Sequence, residues 1–454
     1  MILGRMCNFF SSHGLALILA VGIAVRLLLM PISAHPFDMY VWYNDSESIL
    51  TNGPLYLQGF PPLWYHYLMV PVSYLYSGLS VLLPTATIPM STLPSALDFY
   101  PSYNITVVPG LLFNFIVKIP FLISDVLVAF LLYKLVGEYT GKKSLAQSAA
   151  LLWFVNPFVI WISASWGMWD TLPALFSLAA MYLIIKRRFA LSAVSLSLGI
   201  AAKLYPAVFL VPLIFYLYKT SNPSLRLRNL GVFVGVFVGS SLLLFLPYLG
   251  TASNFISDFF LLGSGGNVET IIPLGPFTFG LTYWSLASHL NLGSGGILFV
   301  SVASLVLFAA VLLLVYWRSS KLSFKSPVSD LSMAMLFCVA ALLLSYRIVC
   351  EQWVIWAIPF LVILCVTGRV RKSIFLGLSA FALLYAVLNC PLPFFFLPIA
   401  PWATDTLLGM VYFIWSGESV RIAVLVISAC LFSLLLFLSV WHLSKQPEEK
   451  GKSN

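Results

Sequence analysis

Apolar stretches of about 18 residues or more recur from one end of this chain to the other. Each can cross the hydrocarbon of a bilayer, where backbone polar groups are satisfied only inside a helix or a closed barrel. The alternating apolar and polar residues of barrel strands are absent, so the stretches predict helices. With 61% hydrophobic and 9% charged residues, the chain also lacks the polar side chains that cover a water-soluble globule. We therefore predict an all-α, polytopic integral membrane protein.

The positions of Lys and Arg predict the topology. They fall into seven clusters, which the positive-inside rule assigns to the cytoplasm, and an even number of crossings must separate one cluster from the next. This gives about twelve helices with both termini inside. The net charge of +9 is therefore explained by topology, and nucleic acid is not expected as a partner. The predicted helices are 14–32, 110–136, 145–163, 170–185, 189–202, 204–218, 229–249, 295–317, 328–346, 352–368, 373–391 and 420–443.

This topology predicts one transmembrane domain over residues 1–454, with long external stretches at 33–109, 250–294 and 392–419 and a cytoplasmic tail at 445–454. The first stretch contains another apolar run at 63–83. A single crossing there would invert every later helix and place the basic clusters outside. We therefore predict a helix that lies along the outer interface, where Trp and Tyr are enriched.

Five cations have no topological explanation, since the map places them near the outer ends of helices: Arg26, Lys118, Lys203, Arg347 and Arg421. An ionisable side chain at membrane depth costs on the order of 2.5–3.5 kcal/mol and is usually paired or functional. Local pairing is one reading, because Lys118 lies two turns from Asp125 on one helix and Arg347 precedes Glu351 by four residues. The other is an anionic ligand, such as a lipid phosphate, held by all five. The sequence leaves both open.

Acidic residues gather directly after the first apolar run, in the segment HPFDMYVWYNDSE at 35–47. Asp38 follows the end of that run within a Pro- and aromatic-flanked turn. A carboxylate so close to the membrane and to bound phosphate is placed to accept a proton from a sugar hydroxyl that attacks a glycosyl phosphate. Asp45 and Glu47, taken alone, read as solvated loop acids. The six cysteines show no metal-ligand spacing, so no cofactor is required, although a divalent cation is not excluded.

Several motifs, taken in order, resemble the GT-C glycosyltransferases, nearest the glycosyltransferase-87 and PIG-M-like mannosyltransferase groups. They are HPFD with Tyr40, ILTNGPLY, FPPLWYHYL, KIPFLISDVLVAFLLYKL, NPFVIWISASWGMWD, GIAAKLYPAVFLVP and SYRIVCEQWVIWAIPFL, and they cover roughly residues 14–368. The chain departs from PIG-M-like enzymes in lacking D-x-D in the first loop, and Met168 stands where Gln is common.

The resemblance implies a GT-C-like fold whose first external loop covers the site. It implies that Asp38 is the catalytic base and that Asp170, with Tyr40 and Asp45, positions the acceptor or the loop. Lys203 and Tyr205 would meet the donor phosphate, and Gln352 and Glu351 would flank the donor. The unexplained cations Arg347, Arg26, Lys118 and Arg421 join the donor-phosphate set. No metal ligand is assigned.

The expected reaction is inverting transfer of a hexose, first of all mannose, from a polyprenyl- or dolichyl-phosphate sugar to a glycan or glycolipid hydroxyl at the extracytoplasmic face. One base and a phosphate leaving group that needs only positive charge suffice for it. The alternative is a multi-pass transporter or flippase of a lipid-linked or anionic substrate, since intramembrane charges also mark transport pathways. The sequence does not separate the plasma membrane of a prokaryote from the endoplasmic reticulum of a eukaryote, nor does it settle a homo-oligomer or an accessory subunit.

Overall fold

A computed structural model of the protein describes residues 2–53, 62–83, 87–89, 106–246, 280–289, 294–399 and 403–445. Most of the predicted external stretch 250–294 and nearly all of the tail lie outside the described residues. Apart from the two-residue antiparallel pair β1 (Ile88–Pro89) and β2 (Val107–Val108), the regular structure in these ranges is helical.

The α-helices, numbered in chain order, are α1 Ile2–Ile32, α2 Pro36–Asn52, α3 Met69–Ser80, α4 Leu111–Val117, α5 Ile119–Thr140, α6 Lys143–Phe154, α7 Pro157–Ile160, α8 Thr171–Ile185, α9 Phe189–Ala202, α10 Leu210–Thr220, α11 Arg226–Phe245, α12 Ser294–Ser319, α13 Pro327–Ser345, α14 Ile358–Val366, α15 Lys372–Asn389, α16 Thr404–Ser416 and α17 Glu418–Lys445. Tighter or wider helical turns occupy Leu63–Leu68, Trp161–Trp166, Tyr205–Phe209, Pro223–Leu225, Tyr283–His289, Glu351–Trp356 and Leu392–Ile399.

Seven described helices are long and apolar enough to cross a bilayer: 14–32, 111–140, 223–245, 302–319, 327–345, 372–389 and 419–445. The pair 143–154 and 157–166, bent by 44°, forms an eighth candidate crossing, and three shorter apolar helices lie at 171–185, 189–202 and 205–220. The all-α, multi-pass prediction is confirmed, and helical structure occupies every predicted apolar run. The number twelve stays a prediction.

Proline and glycine set the breaks that shape the outer half of the molecule. Asn156 accepts a hydrogen bond from the Phe158 N–H at 2.9 Å, and Pro157, which has no N–H to donate, starts a new helix where the 143–166 pair bends. A wide π turn over Trp161–Trp166 then ends at Gly167, whose φ is +87°. Similarly, α9 stops at Lys203, which is extended, two residues before the Tyr205-Pro206 turn.

The described part of the first external stretch packs as a layer on the helical body. Trp42 of α2 contacts Trp64 with ring centroids 5.1 Å apart, Trp169 at 5.4 Å and Phe121 of α5 at 5.9 Å. Apolar run 63–83 forms a π turn followed by α3, and α3 packs on α2 and α4. Because Trp42 and Trp64 are almost fully buried, this aromatic cluster fixes the loop helices above α5 and the turn before α8. The interfacial position of run 63–83 stays a prediction.

Candidate functional site

Asp38 lies in the first turn of α2, above the point where α1 ends. Its Oδ2 atom accepts a hydrogen bond from the indole N–H of Trp166 at 2.6 Å and lies 2.9 Å from Nδ1 of His35. The Asp38 side chain keeps 21% of its surface exposed, whereas the His35 side chain keeps only 6%. Asp38 is therefore held by two neighbours and still reaches solvent.

The His35–Asp38 contact is a charged pair. Burial disfavours the imidazolium, but Cys390 and the Asp38 carboxylate together outweigh burial and raise the pKa of His35 to about 10. Burial likewise opposes the Asp38 carboxylate, yet the charge of His35, the hydrogen bonds from His35 and Trp166 and the charge of Lys203 lower the pKa of Asp38 below its usual value. Asp38 is thus ionised at neutral pH, as a general base must be.

Asp170 and Lys203 form a second ion pair beside the first. The Lys203 Nζ atom lies 2.8 Å from Oδ1 of Asp170, which also accepts a hydrogen bond from the indole N–H of Trp356 at 2.7 Å. Asp170 is fully buried, while the Lys203 side chain is 20% exposed. Since the charge of Lys203 also helps to lower the pKa of Asp38, one ammonium group acts electrostatically on both predicted carboxylates.

Aromatic rings surround Lys203 on several sides. Its Nζ atom lies 5.6 Å from the ring centre of Trp169, 6.0 Å from that of Trp353 and 5.2 Å from that of Trp356. Tyr205 stacks on Trp356 with ring centroids 3.9 Å apart. Cation–π attraction of this kind holds an ammonium in place with little competition for its N–H groups. Lys203 therefore keeps donors for an anion.

The residues that follow α13 carry the predicted donor contacts. Arg347 is 92% buried, and its Nη1 atom has no hydrogen-bond partner; the buried Oε1 of Gln352 also lacks one. Glu351 accepts a hydrogen bond from the Asn389 side chain at 3.0 Å. The local pairing of Arg347 with Glu351 that the spacing allowed is not among the ion pairs of the described residues.

This segment is tied to residues 280–289 by backbone contacts. Gly280, with φ of +93°, forms a bridge with Val349, and the N–H of Leu281 donates to the Val349 carbonyl at 2.8 Å. The indole of Trp284 donates to the Ser345 carbonyl at 3.1 Å. The extended backbone that carries Arg347 is therefore supported from both ends.

Arg26 and Lys118 are bonded inside the helical body. Arg26 Nε lies 2.7 Å from Asp125 Oδ2, both side chains are fully buried, and Nη1 donates to the Phe154 carbonyl at 2.7 Å. The alternative that paired Lys118 with Asp125 is wrong, because Asp125 pairs with Arg26. The Lys118 Nζ atom instead lies within hydrogen-bond distance of four backbone carbonyls, which share its three N–H donors: those of Met30, Ser33, Ala164 and Ser165. The donor role of both cations stays a prediction.

The remaining predicted residues are spread around this centre. Tyr40 shares a hydrogen bond of 3.2 Å with Thr106, next to β2. Asp45 lies on the same face of α2 as Asp38. Its buried Oδ2 atom has no hydrogen-bond partner, and burial raises the pKa of Asp45 to about 7. Arg421 of α17 donates to the Leu388 carbonyl at 3.2 Å. Their assigned roles stay predictions.

His35, Trp166 and Trp356 hold the two carboxylates, although no sequence pattern predicted a role for them. The available signals were local: His35 precedes Asp38 by three residues, and Trp166 precedes Asp170 by four. Within the described residues, no group of three His, Cys, Asp or Glu side chains forms a metal site.

Known proteins match parts of this chain. A family model described as GPI transamidase subunit PIG-U matches residues 97–268. "GPI mannosyltransferase 1" of Candida albicans is 32% identical over 111 residues, which cover 24% of this chain and 27% of the relative. The protein of the same name from Schizosaccharomyces pombe is 28% identical over 158 residues, 33% of this chain and 42% of the relative.

The chain thus matches less than half the length of these relatives. Across the fold, it is similar to a crystal structure of ArnT from Cupriavidus metallidurans bound to undecaprenyl phosphate, with a TM-score of 0.47 and 13% identity over 94% of this chain and 76% of that one. The named relatives confirm the predicted resemblance to the PIG-M-like mannosyltransferases.

Proposed function

We propose that this protein is an inverting membrane glycosyltransferase that moves a hexose, with mannose as the first candidate, from a polyprenyl- or dolichyl-phosphate sugar to a glycan or glycolipid hydroxyl. The observation that carries the proposal is that a partly exposed, ionised carboxylate, Asp38, lies within the electrostatic reach of the partly exposed ammonium of Lys203, which is itself paired with Asp170. A base and a phosphate-stabilising cation are what this transfer needs from a protein.

In the proposed reaction, the acceptor hydroxyl gives its proton to Asp38 while its oxygen forms a bond to the anomeric carbon. The bond from that carbon to the phosphate oxygen breaks, and its electron pair stays on the phosphate. Lys203 and Arg347 stabilise the charge of the leaving phosphate, which needs no protonation. Because attack and departure occur on opposite faces, a β-linked mannosyl phosphate gives an α-mannoside.

A cavity of about 690 Å³ supports a lipid-linked donor. It lies between α12, α13 and α17, with mainly aliphatic and aromatic side chains in its wall, and it extends from Ser345 to Ser444. Ser345 ends α13, two residues before Arg347. A polyprenyl chain in this groove would bring its phosphate to Arg347, whose buried Nη1 has no hydrogen-bond partner.

The relatives named GPI mannosyltransferase 1 support mannose as the sugar and a GPI-type glycolipid as the first acceptor to test. The positive-inside topology supports an extracytoplasmic site, in the endoplasmic reticulum of a eukaryote or the plasma membrane of a prokaryote. The bilayer and these two substrates are the proposed partners.

The match to the PIG-U family model favours a second candidate, a non-catalytic subunit that binds a GPI-type glycolipid. Such a protein would bind the acceptor without consuming a sugar donor. A transporter or flippase would move labelled lipid across the bilayer without changing it.

One experiment separates these candidates. Purified protein in nanodiscs is incubated with dolichyl-phosphate mannose or glucose, labelled in the sugar, and a glucosaminyl-phosphatidylinositol acceptor, and products are resolved by chromatography and mass spectrometry. We expect time-dependent mannosylation of the acceptor with release of dolichyl phosphate. Acceptor binding with no transfer, or lipid movement in proteoliposomes with no transfer, contradicts the enzyme proposal.

A further inference from the structure

Two groups from distant parts of the chain meet at one oxygen of Asp38. Oδ2 receives the Trp166 indole N–H at 2.6 Å and faces His35 Nδ1 at 2.9 Å. Each carboxylate oxygen offers about two lone-pair directions, so both directions on Oδ2 are in use. No hydrogen bond from another described residue reaches Oδ1.

Building on the proposed transfer reaction, we propose that His35 and Trp166 are positioning residues that hold Oδ2 of Asp38, so that Oδ1 alone is aimed at the acceptor hydroxyl and takes its proton. Asp38 remains the group that touches the substrate. His35 and Trp166 act through it, by fixing the direction of its free lone pairs and by keeping it ionised.

The His35 ring is itself held in one orientation. Its backbone N–H donates to the Trp166 carbonyl at 3.3 Å, and its ring stacks on the Trp166 ring with centroids 4.5 Å apart and planes 8° apart. Phe395 packs edge-on against both rings, with centroids 5.6 Å from each. Rings buried in this way have little rotational freedom, so the two donors reach Oδ2 as one rigid unit.

The Nδ1 atom of His35 has two neighbours that demand opposite protonation states. If bare, it accepts the Asp38 backbone N–H at 3.3 Å and caps α2. If protonated, it donates to Oδ2 at 2.9 Å. The contact to the carboxylate is shorter, and a His35 pKa of about 10 makes the ring an imidazolium at neutral pH. His35 therefore acts on Asp38 mainly as a charge rather than as a helix cap.

Other ionisable groups face this pair from the elements packed around it. Lys203 helps to lower the pKa of Asp38. Burial raises the pKa values of Asp170, Glu351 and Cys350, and the Asp38 charge adds a smaller increase to each. Cys390 shares a side-chain hydrogen bond with His35.

The sign of the His35 effect follows from this set. If the His35 imidazolium is removed, Trp166 and Lys203 still stabilise the Asp38 carboxylate, but Asp38 loses its nearest cation. Its pKa rises, so Asp38 becomes protonated at a higher pH than in the wild type.

The variant His35→Asn tests the charge separately from the cap, because Asn is also a good N-cap residue but stays neutral. The protonation midpoint of Asp38 is read by infrared spectroscopy of the purified protein, with Asp38→Asn as the reference that identifies its band. We expect the midpoint to rise by about one to three units, the usual effect of losing an opposite charge at this range. The acid limb of the pH profile of kcat/KM should move to higher pH by the same amount.

Trp166→Phe keeps the aromatic stack and removes only the indole donor. We expect kcat to fall roughly 10–100-fold with donor KM unchanged, since misdirection of a catalytic group by about 1 Å can cost that much. His442→Asn on the exposed end of α17 and Trp153→Phe, which loses a buried indole bond to the Asp125 carbonyl, are matched controls that leave the Asp38 midpoint in place.

The two proposals fail separately. An unmoved Asp38 midpoint in His35→Asn overturns the role of His35 whether or not the wild type transfers sugar, because the infrared readout needs no turnover. A wild type that transfers no sugar overturns the proposed function, and the midpoint still decides whether His35 controls Asp38. If the kcat of Trp166→Phe equals that of the wild type, Trp166 is not a positioning residue.

Discussion

Two ion pairs in this protein have nearly the same length and opposite surroundings. Arg26 and Asp125 lie 2.7 Å apart with no side-chain exposure, and Ser163 donates to the same carboxylate oxygen, Oδ2, at 2.6 Å, while the buried Oδ1 has no hydrogen-bond partner. His35 and Asp38 lie 2.9 Å apart, but Asp38 keeps 21% of its side-chain surface. The comparison teaches that proximity of opposite charges does not identify a site. Exposure of the carboxylate to solvent, which Asp38 has and Asp125 lacks, is what marks the candidate site.

The largest expected effect is on rate, from removing the exposed carboxylate. Asp38→Asn keeps the size of the side chain but cannot take a proton. We expect the transfer rate to fall about 10²–10⁴-fold, the usual contribution of a general base, with donor affinity and thermal unfolding close to wild type. Steady-state assays with labelled donor measure this. Asp405→Asn, an exposed acid of α16, is the control; equal rates for the two variants would exclude Asp38 as the base.

Removing the buried carboxylate should give the reverse pattern. Asp125→Asn leaves Arg26 as a buried, uncompensated charge, so we expect the free energy of unfolding to fall by about 3–5 kcal/mol. The rate per folded molecule should change little. Denaturant unfolding in detergent measures the stability.

The double variant Arg26→Met with Asp125→Leu sharpens this test. It removes both charges and should recover much of the lost stability, because a buried pair gains little over apolar packing. Failure of the double variant to recover would show that Arg26 has a role beyond pairing.

The next largest effect is expected on donor affinity, from substitution of Arg347. Arg347→Met removes a buried guanidinium whose Nη1 has no protein partner. A charge-assisted hydrogen bond contributes about 1.5–3 kcal/mol, so donor affinity should fall roughly 10–100-fold. Binding of dolichyl-phosphate mannose to Asp38→Asn protein, with and without the Arg347 change, measures this without turnover. Arg228→Met, at an exposed position on α11, serves as the control, and an unchanged affinity would return Arg347 to a structural role.

A smaller effect, on stability, is expected from a substitution at Gly167, in the turn between the Trp161–Trp166 segment and α8. A Cβ atom at Gly167 would lie 2.3 Å from Met39 Cε and 2.6 Å from Lys118 Cε, at a φ of +87°. We expect Gly167→Ala to destabilise the protein by about 1–3 kcal/mol from overpacking, in addition to backbone strain. Gly141→Ala has a similar φ of +66° but meets nothing within 4 Å. It should show strain alone, so equal losses would mean that the Lys118 contact is unimportant.

The last prediction concerns topology, and its substitutions are expected to change neither stability nor rate. Leu75 on α3 is 46% exposed, and the interface prediction places it outside. A cysteine there should react with a membrane-impermeant maleimide from the external side only. Leu227→Cys on α11, 82% exposed, should react only from the cytoplasmic side. Internal labelling of position 75 would make run 63–83 a crossing.

The helices were predictable because hydrophobic length is a local property of the chain. Pairing of charges was not. Spacing on one helix allowed Lys118 as a partner of Asp125, whereas the true partner, Arg26, lies 99 residues away on another helix. A sequence pattern detects neighbours along one helix and is blind to the helix packed beside it.

The candidate site shows the same limit. Asp38 and Lys203 drew attention because carboxylates and ammonium groups are rare in so apolar a chain, and Asp170 because of the family resemblance. In the structure, Lys203 pairs with Asp170 and its charge also acts on Asp38. Trp166 escaped notice because an indole is unremarkable in a chain with 15% Phe, Trp and Tyr, and His35 because a lone histidine forms no spacing pattern. Their importance comes from the hydrogen bonds they donate, and those depend on the docking of α2 onto the turn after α7.

The bond between Trp166 and Asp38 spans 128 residues of sequence, and this separation has a consequence for biosynthesis. When the ribosome has completed α1 and α2, Asp38 is an ordinary acid in water, with no indole to hold it and no Lys203 nearby. The proposed base acquires its shape only after α6, α7 and α9 have entered the bilayer. An unfinished chain therefore carries the acid without the neighbours that orient it.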